Sequence, residues 1–142
     1  MSRLQGGLFG LRKPSDLFCK AQKDVKDFFE APTDYALFNL VCTLNHLRDW
    51  IEKNGSTYED KIFCSELDGN PDFKIIKALC NNAKHFSDRG IMKRSDMFIG
   101  FICGFNGAGD RLDQKNYTVD GYDIRNIVSR VFTKYKEYFE VA

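Results

Sequence analysis

Only two histidines occur in the chain, and each sits in a polar cluster: Asn45-His46-x-Arg48-Asp49 and Asn81-Asn82-Ala83-Lys84-His85. Imidazole is the side chain whose ordinary pKa lies nearest neutrality, so it can pass protons or, when neutral, bind a metal. A functional reading pairs His46 with His85 across a groove between the helices that carry them. Asp49, three residues along from His46 and within reach on a helix, would orient one of the two rings. The bland reading makes His46 a core histidine beside Trp50 with its hydrogen bonds satisfied. In the same spirit, Asn81 and His85 would bond the loop after their helix or the Tyr and Trp side chains of the earlier one. A metal would need both histidines and a nearby cysteine, yet no Cys-x-x-Cys or His-x-x-x-His spacing is present. Neither a metal nor another cofactor is expected.

Two further patterns invite chemistry and have plainer explanations. Gly104-x-x-Gly107-x-Gly109 lacks the Lys-Ser/Thr of a phosphate loop and opens no clear helix, so it reads as a ribbon turn. Lys84, Arg89, Lys93 and Arg94 gather near Phe98 and Tyr117, which would offer stacking surface to single-stranded RNA. The alternative is a solvated edge that discourages strand pairing.

The run Leu44-Asn45-His46-Leu47-Arg48-Asp49-Trp50, followed by Asn82-Ala83-Lys84-His85-Phe86, resembles small bacterial and phage helical proteins carrying a similar pair of motifs. The likeness covers most of the chain loosely. More distantly, an Asn-containing run ending in His on a late helix is similar to the HEPN superfamily, whose active members are often dimeric, metal-independent ribonucleases with an Arg-x4-6-His motif. The resemblance implies that His85 acts as acid or base, that Asn81 is the polar residue following the arginine, and that a homodimer is the expected assembly. The arginine itself is not matched: Cys80 stands five residues before His85. The cation that would stabilise phosphate charge in the transition state is therefore missing from the motif.

The elements that must position these residues follow from apolar periodicity. Pro14-Ser15-Asp16 offers an N-cap, and Leu17, Phe18, Ala21, Val25, Phe28 and Phe29 recur at helical spacing until Ala31-Pro32. Thr33-Asp34 opens a second helix, which runs to about Asn54 and ends at Gly55 as a left-handed C′ residue. It carries Leu37, Leu40, Val41, Leu44, Leu47 and Ile51 on one face. A second stripe of Tyr35, Asn39, Cys42, His46 and Trp50 marks it as central. Ser56-x-x-Glu59 has capping-box form and opens a short helix through Leu67. Asn70-Pro71-Asp72 then supplies an N-cap, an N1 proline and an acidic first turn for a fourth helix. That helix buries Phe73, Ile76, Leu79, Cys80, Ala83 and Phe86, turning Lys74, Asn81 and His85 the other way. Strand-like alternation over Met97–Phe105 and at Tyr117-Thr118-Val119, closed by Asp120-Gly121, predicts a β-ribbon at about 91–120. A last helix carries Ile124, Ile127, Val128, Val131, Tyr135, Tyr138 and Phe139 and packs back on the first, second and fourth.

The fold class is thus mainly α: a helical bundle of four to five helices with a small β-hairpin before the C-terminal helix, forming one domain over 14–142 behind a flexible arm at 1–13. Hydrophobic residues at 43% and charged residues at 29% fit a packed chain rather than a disordered one. With 21 basic and 20 acidic residues, the net charge of +1 excludes the global positive field that draws proteins to nucleic acid from a distance. Five dispersed cysteines do not form a disulfide framework and point to a reducing cytoplasm. No apolar run approaches a membrane span or a signal peptide.

Three functions are expected to compete. In the first, a HEPN-like domain without catalysis binds a protein or RNA partner through His46, Asp49, Asn82 and Arg89, in bacterial or phage conflict systems. In the second, the same region is a metal-independent endoribonuclease with a rearranged site of His85, Lys84 and Asn81. The third is a structural accessory subunit.

Overall fold

The computed structural model describes residues 8–55, 57–85, 117–119 and 121–141, with the side chains at 84, 85 and 141 excepted. Its order is α1 (Pro14–Glu30), α2 (Asp34–Asn54), α3 (Tyr58–Gly69), α4 (Pro71–His85), β1 (Thr118–Val119), β2 (Tyr122–Asp123) and α5 (Ile124–Val141). The mainly helical class and the small hairpin before the last helix agree with the sequence reading.

Local chemistry starts each helix. Pro14 takes the first position of α1, where its missing N–H costs nothing. The Asp16 carboxylate accepts the backbone N–H groups of Arg12 and Lys13, both at 3.1 Å. The cap position is therefore Lys13, with Asp16 folding back over it, ahead of the Pro14-Ser15-Asp16 stretch that the sequence offers. Thr33 caps α2 by accepting the N–H of Ala36 at 3.0 Å. For α3 the capping residue is Thr57, which accepts the N–H of Asp60 at 3.2 Å, rather than the expected Ser56. Asn70 caps α4 through the N–H of Phe73 at 3.0 Å, as Asn70-Pro71-Asp72 predicts.

Gly55 does end α2, but for a different reason from the one expected. Its backbone is extended, at φ −84° and ψ 139°, not left-handed. What requires glycine is close approach: an added Cβ would run into the Asp60 carboxylate and lie 2.7 Å from the Ile51 carbonyl oxygen.

Helix α2 is central, packing on α1, α3, α4 and α5. Leu40, Val41, Leu44, Leu47 and Ile51 are buried on its apolar face. Each such side chain taken out of water contributes about 1.5–3 kcal/mol. Across the bundle, Phe18 of α1 stacks on Phe132 and Phe139 of α5 with ring centroids 5.6 and 4.6 Å apart. Phe29, expected on the buried stripe of α1, instead remains 39% exposed. Tyr135 is wholly buried on α5 and donates its hydroxyl to the Leu44 carbonyl of α2 at 2.7 Å. Arg130 of α5 forks onto Asp72 in the first turn of α4 at 2.8 and 3.0 Å.

The hairpin pairs Thr118 with Asp123 and Val119 with Tyr122, turning through Gly121 at φ +84°, a conformation that favours glycine. Thus Tyr117-Thr118-Val119 does feed a strand, but among the described residues its partner follows it in the chain. The earlier strand expected at Met97–Phe105 lies outside the described residues, as does the Gly104–Gly109 turn. Tyr117 is buried and donates its hydroxyl to Asp34, tying the hairpin to the start of α2.

Candidate binding cleft between the second and fourth helices

A cleft of about 270 Å³ opens between α2 and α4, lined by Asn45, His46, Arg48, Asp49, Lys77 and Asn81, with Phe73, Cys80 and Asp68 completing it. Helical spacing accounts for its two main walls. Asn45, His46, Arg48 and Asp49 fall within one turn of α2, while Phe73, Lys77 and Asn81 recur every four residues along α4. Asp68 arrives from the end of α3.

Arg48 organises this site. Its guanidinium grips Asp68 through two hydrogen bonds of 2.9 and 2.7 Å, contacts Glu52 one turn on, and reaches Asp49 at 3.3 Å. The Asp68 hydrogen bond, followed by that of Glu52, raises the arginine pKa further, so the group is a permanent cation held by carboxylates. The sequence exposes half of this arrangement, because Arg48 and Glu52 stand four apart on one helix. Asp68, twenty residues away, has no local signal.

His46 is exposed rather than a core histidine. Asn45 is half-buried and Asn81 is exposed. Among the described residues, His46, Asn45, Asn81 and Lys77 make no side-chain hydrogen bond or ion pair, leaving their donors and acceptors available to a ligand. Asp49 bonds Arg48 and not His46. The structure therefore brings His46, Asp49 and Asn81 to one cleft. Asn82 is half-buried on α4 but does not line it. His85 and Lys84 belong to the last turn of α4, with side chains outside the described residues, and Arg89 lies outside them altogether.

Cys80, five residues before His85, is 1% exposed and forms part of the cleft wall. It donates its thiol to Cys42 of α2 across 3.6 Å. Burial and the neighbouring Cys80 push the Cys42 thiol up to about 12, so Cys42 is protonated at neutral pH. Cations reach the cleft from elsewhere: Arg48 on α2 and Lys77 on α4.

Sequence reasoning also missed a polar triad between α1 and α2. Asp24, 7% exposed, accepts from Lys20 at 2.6 Å and from the Thr43 hydroxyl at 2.6 Å, while Lys20 also reaches Thr43 at 2.8 Å. Lys20 and Asp24 form a readable i,i+4 pair, but nothing local discloses Thr43.

A larger hollow of about 650 Å³ lies where α1 begins and α2 ends, floored by Pro14, Ile51, Tyr138 and Phe139. Its principal polar groups are already engaged: Tyr138 donates to the Asp60 carboxylate, and the Asp60 backbone N–H donates to the Thr57 hydroxyl. Among the described residues no three or more His, Cys, Asp or Glu side chains cluster to hold a metal. No described helix is long and apolar enough to cross a membrane. The chain matches no family model, and no curated protein or solved structure matched it.

Proposed function

We propose that the domain is a HEPN-like, non-catalytic binding module whose cleft between α2 and α4 receives a polar segment of a protein partner. The observation that carries this reading is the convergence of uncommitted polar side chains, His46 and Asn45 from one helix and Asn81 and Lys77 from the other, on a cleft of about 270 Å³. Hydrogen-bonding groups held on two packed helices are preorganised and lose little freedom on binding.

The charge pattern favours a protein over RNA. The lining cations Arg48 and Lys77 face the lining carboxylates Asp49 and Asp68, and Arg48 is already engaged with Asp68 and Glu52. A phosphate would meet as many negative as positive groups, whereas phosphate recognition relies on a cationic excess. The buried Cys80 in place of the motif arginine supports binding without catalysis.

The test immobilises wild-type protein and a His46→Ala/Asn81→Ala variant of matched melting temperature and challenges both with extract of the source cells. A protein retained by the wild type and lost by the variant is expected, and identical retained sets would overturn the cleft assignment. RNA lost with the same substitutions would replace the protein partner by RNA. Cleavage of RNA by wild type that disappears in His85→Ala would replace the binding module by a ribonuclease.

A further inference from the structure

We propose that Cys42 and Cys80 are an oxidisable dithiol whose closure to a disulfide staples α2 to α4 beneath the cleft. Their sulfurs already touch at 3.6 Å, one on each of two helices that pack together. A disulfide needs about 2.05 Å between sulfurs, so the two side chains must draw closer for the bond to form. The other described cysteines are placed differently. Cys19 is exposed, and Cys64 is buried with its sulfur 3.7 Å from the Arg48 carbonyl oxygen.

The surroundings assign the order of events. Cys42 is half-buried, whereas Cys80 is sealed at 1% exposure. Cys42 is therefore the thiol that meets a hydroperoxide, and Cys80 is the resolving thiol. The Cys42 thiolate attacks the terminal peroxide oxygen. The O–O bond breaks, an alcohol or water leaves, and Cys42 becomes a sulfenic acid. Cys80 sulfur then attacks the Cys42 sulfur, the S–O bond breaks, and hydroxide leaves as water with the Cys80 proton. Two thiols are oxidised by one hydroperoxide, which is reduced to alcohol and water. Since burial keeps Cys42 largely protonated, the reaction is slow, and the test must run to completion.

The bond does not depend on the cleft being a binding site. Its effect on a ligand does rest on that reading, because Cys80 is part of the cleft wall and a covalent link would fix the separation of α2 and α4.

The test uses the full chain, reduced and freed of reductant, then treated with a slight excess of hydrogen peroxide. Remaining thiols are alkylated and the peptides mapped by mass spectrometry. The expected product is a Cys42–Cys80-linked peptide as the main intrachain cross-link, with the oxidised chain melting higher because a long loop is closed. The linked peptide should vanish in Cys42→Ser and in Cys42→Ala, the latter guarding against misfolding from a buried hydroxyl. Recovery of both cysteines as alkylated thiols, oxidation of Cys42 without a link, or links to other cysteines would overturn the proposal. None of these outcomes bears on the His46→Ala/Asn81→Ala capture experiment.

Discussion

A methyl group at Gly55 would collide with the Asp60 carboxylate and the Ile51 carbonyl, so the glycine is there for space and not for its backbone angles. Gly55→Ala is expected to lower stability by about 1–3 kcal/mol, the usual cost of overpacking. Urea denaturation checks this, and an unchanged midpoint would show that α3 can yield. The Lys20–Asp24–Thr43 triad makes a second prediction at this scale. Asp24→Ala removes the carboxylate that Lys20 and Thr43 share, leaving Thr43 its bond to the Asn39 carbonyl, with an expected loss of about 1–3 kcal/mol. A double-mutant cycle with Thr43→Val should show coupling, because Thr43 donates to the same carboxylate oxygen that receives Lys20. Neither effect is legible in sequence. A glycine that stops a helix looks the same whether it turns left-handed or merely makes room, and an i,i+4 Lys–Asp pair usually points to solvent.

Elements show where sequence reasoning succeeds. Asn70-Pro71-Asp72 announces the start of α4 because cap, proline and acidic first turn all act within four residues, and the structure uses them so. The start of α3 was missed by one residue, since Ser56-x-x-Glu59 and Thr57-x-x-Asp60 are equally good local patterns. Tertiary contact decides between them: Asp60 is also held by Tyr138 of α5. That hydrogen bond, then those from Thr57, lowers the Asp60 pKa, and the backbone N–H of Arg12 chiefly lowers that of Asp16. A depressed carboxylate contributes stability that is complete above the ordinary aspartate value of about 3.9 and fades as pH falls through its folded value. Unfolding midpoints should therefore drop as pH falls from about 5 to about 2, with a shallower fall in Asp16→Asn/Asp60→Asn. An equally steep fall in that variant would assign the acid sensitivity elsewhere. Asp68→Asn should loosen α3 from α2 by weakening the forked pair with Arg48. Faster amide hydrogen exchange in α3 than in α1 would be the measured sign.

For the whole molecule, one helix surrounded by four is the arrangement that the double-faced pattern of α2 foretold, and it is why His46 and Asn81 meet at a cleft. That second face is divided in a way periodicity does not disclose: α4 packs on Cys42 and forms one wall of the cleft, while Tyr35 and His46 are exposed. Tyr135 locks the assembly from the far end of the chain through its bond to the Leu44 carbonyl. Tyr135→Phe should cost about 0.5–1.5 kcal/mol, the net worth of such a bond, by thermal or urea unfolding. The same tyrosine sets a timetable for biosynthesis. On the ribosome, α1 to α4 emerge first and can dock in order, but the apolar groove that α1, α2 and α4 offer to α5 stays open until α5 leaves the exit tunnel. A nascent chain paused before residue 124 would display that bare apolar groove to chaperones. A fragment ending there should bind a hydrophobic dye and yield to protease far faster than the finished protein.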